Sequence, residues 1–116
     1  MKKSEVKNEE DVKRFLNNKT EFERNVLVTT YKIPKGKVST YKRIAEKIGK
    51  PKAYRAVASA LHKNTLHPVV PCHRVVKSDG GFGGERKGAK ARRELVEKEG
   101  VPIRNSKVKI DDEILF

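Results

Sequence analysis

Proline and glycine interrupt this chain at 34–36, 49–51, 68–71, 80–88 and 100. Proline lacks the amide that a helix interior or a central strand requires, and glycine tolerates the reversed backbone of a tight turn. The segments between these breaks are short, so the chain must build itself from short helices and shorter strands. Of its 116 residues 35% are hydrophobic and 6% aromatic, with no Trp, so the core is modest and mainly aliphatic. A chain of this size suits one domain that folds alone with little stability to spare. It contains no apolar run near the roughly 18 residues of a membrane span. The N-terminus, MKKSEVKNEEDV, has no apolar stretch behind its lysines, unlike a secretory signal. One cysteine excludes an internal disulfide framework and a Cys-rich zinc site. The default location is the cytoplasm, or the nucleus in a eukaryote.

Hydrophobic spacing places the helices. Residues 1–8 read as frayed. A short amphipathic helix is expected over about 9–17, with Val12, Phe15 and Leu16 on one face. Thr20 followed by Glu23 has capping-box spacing, and Phe22, Val26 and Leu27 then recur helically to about Tyr31. Ser39 or Thr40 caps a short helix carrying Tyr41, Ile44, Ala45 and Ile48, and an alanine-rich helix follows over 53–62. Two short helices joined by a Gly-containing turn fit a helix-turn-helix, with Arg55 near the N-terminus of the second. The stretch NTLHPVVPCHRVV at 64–76 predicts a tight turn into a short buried strand. The five glycines of 78–88 predict a loop whose spacing is not that of a dinucleotide site. A helix is expected over 89–99, with Leu95 and Val96 inward and Lys90, Arg92 and Arg93 outward, stopped by Gly100. After it comes a tail with alternating Val108 and Ile110, a turn at Asp111 and Asp112, and a terminal hairpin or extended edge.

The charge is unevenly distributed. Residues 1–23 net zero, 24–98 net +14 and 99–116 net −1, for +13 overall. An excess confined to the middle of a small domain points to a polyanionic partner, most often nucleic acid. A lysine-rich surface serving solubility or thermal stability is the plainer alternative.

The sole cysteine lies in Pro71-Cys72-His73-Arg74. A thiolate is the nucleophile in cysteine chemistry, and a neighbouring base and cation both favour it. Adjacent residues of an extended segment face opposite ways, so His73 takes the thiol proton only if the backbone turns there or a water bridges. A carboxylate behind the imidazole would fix its tautomer, with Glu99, Glu85, Glu94 and Glu97 as candidates.

With IPKGKVSTY at 33–41, RAV at 55–57, Asn64, VPCHRVV at 70–76 and EG at 99–100, the chain resembles the active-site domain of O6-alkylguanine-DNA alkyltransferases. The order and spacing agree from about Phe22 to Gly100. The family's usual N-terminal α/β domain has no counterpart here. The resemblance implies a mainly α fold: a small helical domain with a winged helix-turn-helix-like motif and short strand segments. It divides the chain into an N-terminal extension at 1–19, an active-site and DNA-binding domain at 20–103, and a tail at 104–116.

It also implies single-turnover DNA repair. Duplex DNA is bound, the damaged guanine is flipped out, and Cys72 accepts the O6-alkyl group, with no cofactor and no metal. His73 and Glu99 match the relay that deprotonates Cys72, Asn64 the brace of the active-site turn, and Tyr41 the hydroxyl that donates towards guanine N3. Arg55 matches the arginine finger that fills the stack. Thr40, Tyr41, Lys42, Ala56, Ser59 and Arg74 are the further expected DNA contacts, and Val75, Leu61, Phe82 and Glu85 the expected pocket. Glu85 departs from the family, because an aromatic usually walls the alkyl pocket there; either Phe82 supplies that wall or the pocket is more polar. The expected partner is double-stranded DNA containing O6-alkylguanine, bound by a monomer or by a chain assisted by a domain in trans. The alternative is an alkyltransferase-like protein that binds the lesion without repairing it; such relatives replace the cysteine that this chain keeps. A helix-turn-helix transcription regulator would give no reason for PCHRV.

Overall fold

The computed structural model describes residues 2–83 and 86–116. Among these, the order is α1 (Glu9–Phe15), α2 (Glu21–Tyr31), β1 (Ser39–Thr40), α3 (Tyr41–Lys47), α4 (Tyr54–His62), β2 (Val75–Val76), α5 (Arg86–Lys98), β3 (Ile103–Arg104) and β4 (Lys107–Val108). Side-chain caps start three of the helices. Asn8 accepts from the Asp11 amide, Thr20 from Glu23 and Thr40 from Arg43, each satisfying an amide that the first turn leaves open. Thr20 also donates from Oγ1 to Glu23 Oε1 at 3.3 Å, so the Thr20–Glu23 pair forms the first half of the expected capping box, with the glutamate on the threonine hydroxyl and not on its amide.

α2 packs against α1, α3 and α4, and α3 against α4. Their shared core takes Val26 and Leu27 from α2, Ile44 and Ala45 from α3, and Val57, Ala60 and Leu61 from α4. Between α3 and α4, Gly49 adopts φ +78°, the reversed backbone that the sequence required at that turn. A second, smaller core joins Val38, Val76, Val96, Val101 and Val108. The two are linked by β1, which pairs in parallel with β2, Ser39 opposite Val75. No described helix is long and apolar enough to cross a membrane.

Four local expectations are corrected. The first residues do not fray: Lys3–Glu5 form a 3-10 turn, and Val6 is buried in the same core as Val12 and Leu16, which together cover α2. α5 is already helical at Arg86, so the glycine loop is shorter than 78–88; Gly88 lies inside the helix despite its low propensity. Leu95 is 39% exposed and Arg92 partly buried, so the inward face of α5 is rotated from the expected one. The terminal hairpin lies earlier, β3 pairing with β4 around Asn105 and Ser106, and the last residues return to β1, where Phe116 N donates to Val38 O at 2.7 Å.

Candidate active site

The reactive turn is built from Asn64 forward. The Asn64 side chain donates from Nδ2 to Val70 O and accepts the Leu66 amide at Oδ1, both at 2.9 Å, so one amide group closes the loop across six residues. Cys72–Arg74 then form a 3-10 turn, with the Cys72 amide on Val70 O and the Arg74 amide on Pro71 O. The backbone thus turns at this point, yet the cysteine and the imidazole still meet different surroundings.

Cys72 is half-buried and lines a cavity of about 40 Å³ with Tyr41, Ala58, Leu61, His62 and Arg92. Such a space accepts a water-sized group and is far too small for a purine. Burial raises the Tyr41 hydroxyl above its ordinary 10.0, Arg92 opposing and Cys72 adding to the rise, so at neutral pH the phenol is a hydrogen-bond donor. A Cβ on Gly83 would stand 3.0 Å from Tyr41 Oη, so the glycine loop passes close to that hydroxyl at Gly83.

His73 points the other way, into the protein, and is 2% exposed. Its Nε2 lies 3.1 Å from Glu99 Oε1, and its Nδ1 lies 2.9 Å from His67 Nε2. Arg74 binds the same carboxylate, Nε to Oε1 at 2.9 Å and Nη2 to Oε2 at 2.6 Å, and gives Nη1 to Ile33 O at 2.8 Å. Hydrogen bonding by Arg74 is the main cause holding Glu99 below 4.5, against the opposing effect of burial, with His73 adding to the depression. Burial is the main cause holding His73 below 6.5, against the pull of Glu99. The result is a fixed carboxylate behind a neutral imidazole, an arrangement that sets the ring's tautomer and its angle.

The structure brings Cys72, Tyr41 and Leu61 to one cavity and His73, Glu99 and Arg74 to one network; Asn64 ties the loop between them. Among the described residues Cys72 makes no side-chain hydrogen bond to His73. Lys42, Arg55, Ala56 and Ser59 are exposed, the last three on the outer side of α4. Two expected DNA contacts are instead engaged internally: Thr40 is 8% exposed and caps α3, and the guanidinium of Arg74 serves Glu99 and Ile33. Val75 is buried at β2, and Phe82 packs against the second core instead of lining the cysteine cavity. Glu85 lies outside the described residues. Among these, no three His, Cys, Asp or Glu side chains gather to hold a metal ion.

Two site residues escaped the sequence reading. Arg92 lines the cysteine cavity with Nη2 buried and, among the described residues, without a hydrogen-bond partner, which places a cation in the cavity that holds the thiol. Its signal was present: Arg92 stands seven residues before Glu99, two helical turns, and so shares a face with it. His67 had no comparable signal, because a turn has no periodicity from which to read a contact.

Residues 21–101 match the family described as 6-O-methylguanine DNA methyltransferase, DNA binding domain. The methylated-DNA–protein-cysteine methyltransferase of Methanothermobacter thermautotrophicus is 42% identical over 84 residues, covering 72% of this chain and 47% of that protein. The chain thus spans about half the length of that relative. Among solved structures, S. pombe Atl1 in complex with damaged DNA containing O6-carboxymethylguanine superposes with TM-score 0.73 at 32% identity, covering 83% of this chain and 94% of Atl1. The Mycobacterium tuberculosis O6-methylguanine methyltransferase gives TM-score 0.65 at 36% identity, covering 79% of this chain and 53% of that one.

Proposed function

The chain belongs to the family of the 6-O-methylguanine DNA methyltransferase DNA-binding domain, and from that membership we propose that it repairs O6-alkylguanine in duplex DNA by taking the alkyl group onto Cys72. The observation that carries this reading is a single cysteine on a braced turn, half-buried in a cavity shared with Tyr41 and Arg92. The exposed side of α4, with Arg55 at its start, holds the duplex, and Arg55 fills the stack that the flipped guanine leaves.

Chemically the step is a displacement at carbon. The Sγ–H proton passes to the histidine relay, and the sulfur lone pair attacks the alkyl carbon. The carbon–O6 bond breaks, and guanine departs with its electron pair and takes up a proton. Tyr41, kept protonated by burial, donates to the base, and Arg92 offsets the negative charge. The thioether on Cys72 is permanent, so each molecule acts once and needs no cofactor.

A second reading, lesion binding without transfer, is favoured by one finding: the match with Atl1 spans nearly all of that chain and gives the higher TM-score of the two structures. One experiment separates them. After incubation with duplex carrying O6-methylguanine, alkyl transfer adds one methyl, about 14 Da, to the intact protein and none to Cys72→Ser. Lesion-specific binding without a mass gain would establish the second reading and remove the first.

A further inference from the structure

Neither ring nitrogen of His73 is open. Glu99 faces Nε2 and, held by Arg74 below the ordinary carboxylate value, is ionised at neutral pH; Nε2 therefore carries the hydrogen and donates. In neutral His73 the other nitrogen, Nδ1, is then an acceptor, and His67 must present Nε2–H to it across 2.9 Å. The rings meet edge-on, centroids 5.0 Å apart and planes at 81°, so this is a contact between nitrogens and not a stack. A histidine that donates at one nitrogen and accepts at the other has no lone pair left for a thiol proton.

We propose that His67 is the second imidazole of the relay, a positioning residue that acts through His73 and receives the proton released by Cys72. The proposal rests on the alkyl-transfer reading and specifies where that reaction's proton goes. The Sγ–H bond breaks and its electron pair stays on sulfur. The proton reaches His67 Nδ1 through solvent, and the His67 Nε2–H leans towards His73 Nδ1, so that one positive charge is shared by two rings. His67 is suited to the entry point because it is half-buried whereas His73 is enclosed.

The surrounding charges limit the pair to one proton. Glu99 favours the first; Arg74 beside the carboxylate and Lys3 from the N-terminal 3-10 turn oppose a second. Burial is the main cause holding both histidines below their usual range, so the pair carries no proton to spare at neutral pH and its acceptor site at His67 Nδ1 is unfilled among the described residues. The N-terminal segment, outside the 21–101 match, thus adds a charge to the site.

The test compares His67→Ala and His67→Gln with the parent chain in single-turnover methyl transfer to Cys72 between about pH 5 and 8. Glutamine can still donate to His73 Nδ1 but cannot titrate. Both variants are expected to react roughly tenfold more slowly at neutral pH and to lose the parent's acidic limb. Wild-type rate with an unchanged profile, rescue by Gln, or faster transfer in His67→Ala overturns the proposal. Nitrogen-resolved NMR of the parent chain reads the pair without any reaction: the two rings should titrate in coupled steps. Independent titrations overturn the pair even where methyl transfer proceeds. Coupled steps in a chain that transfers no methyl would uphold the pair and fault the alkyl-transfer reading instead.

Discussion

Arg74 grips Glu99 at two points, Nε on Oε1 at 2.9 Å and Nη2 on Oε2 at 2.6 Å, and Oε1 is also the atom that faces His73. With Nη1 on the Ile33 carbonyl, the guanidinium joins three distant parts of the chain: the turn after α2, the cysteine turn, and the residue that follows α5. The fork has a geometric consequence. A single contact would let the carboxylate rotate, whereas two parallel bonds fix the plane in which Oε1 meets the imidazole.

Arg74→Lys keeps the charge and loses the fork, since an ammonium cannot bind both oxygens and Ile33 O in one geometry. It is expected to lower stability by about 1–3 kcal/mol, the scale of hydrogen bonds to charged groups, and to slow methyl transfer because His73 loses its fixed partner. Urea unfolding and single-turnover rates check the two effects. A lysine variant equal to the parent in both would show that orientation of Glu99 is unimportant.

Acid should destabilise the fold in two steps. His73 and His67 are held below 6.5, mainly by burial, so below that pH the unfolded chain binds protons that the native one resists. Glu99 is held below 4.5, mainly by Arg74, and behaves in the same way at lower pH. These contributions are complete above 6.5. The first is lost as pH falls from 6.5 through the native values of the histidine pair, the second as it falls from 4.5 through that of Glu99. Urea midpoints measured across this range should decline with acid, and a rise between neutral pH and 5 would contradict the assignment.

Much of this architecture is legible in local sequence because local physics decides it. Thr20 and Glu23, Thr40, Gly49 and the apolar spacing of Val57, Ala60 and Leu61 each act within one turn of the chain, and helix starts, turn and buried face follow from them. The brace at Asn64 is also local, its two bonds reaching only as far as Val70, but the family resemblance and not the local pattern is what pointed to it. What stayed hidden depends on longer reach. Val6 looked frayed because nothing local holds it; its burial comes from the core it joins with residues far along the chain. Arg92 looked solvent-facing because a basic side chain on a basic helix usually is. His67 meets His73 only because the intervening turn folds back, and Arg74 was expected on DNA because its carboxylate partner lies 25 residues away.

Arg55→Ala should separate the DNA step from the chemistry. Arg55 is exposed near the start of α4, away from the cysteine cavity lining, so removing it leaves the thiol and relay intact. Transfer from duplex should slow markedly while reaction with the free base O6-methylguanine stays near the parent rate. Equal slowing on both substrates would place Arg55 in the chemistry. Duplex binding by the parent should also weaken steeply with salt, as the +14 over 24–98 requires.

The N-terminal segment should be structural. Leu16 is 1% exposed and belongs to the core that α2, α3 and α4 share. Leu16→Ala is expected to cost about 2–5 kcal/mol, large against the total stability of a domain this size. Thermal unfolding measures it; a loss within a few tenths of a kcal/mol would mean that the segment lies loosely on the domain and covers nothing.

Arg92 offers the sharpest contrast between stability and activity. Among the described residues its Nη2 is buried with no hydrogen-bond partner, and an unsatisfied buried donor costs roughly 1–3 kcal/mol, more when charged. Nothing among the described residues explains keeping it, since an apolar side chain of similar length would fill the same wall beside Tyr41, Leu61 and Cys72. Arg92→Met should therefore raise the urea midpoint, because it removes the unpaired donor without opening a cavity. The same change removes the cation from the cavity that holds Cys72, so on the alkyl-transfer proposal methyl transfer should slow by roughly tenfold or more, the scale of one lost electrostatic partner. Opposite signs in the two measurements are the required result. A variant both less stable and equally fast would show that Arg92 is a packing residue whose charge the site does not use.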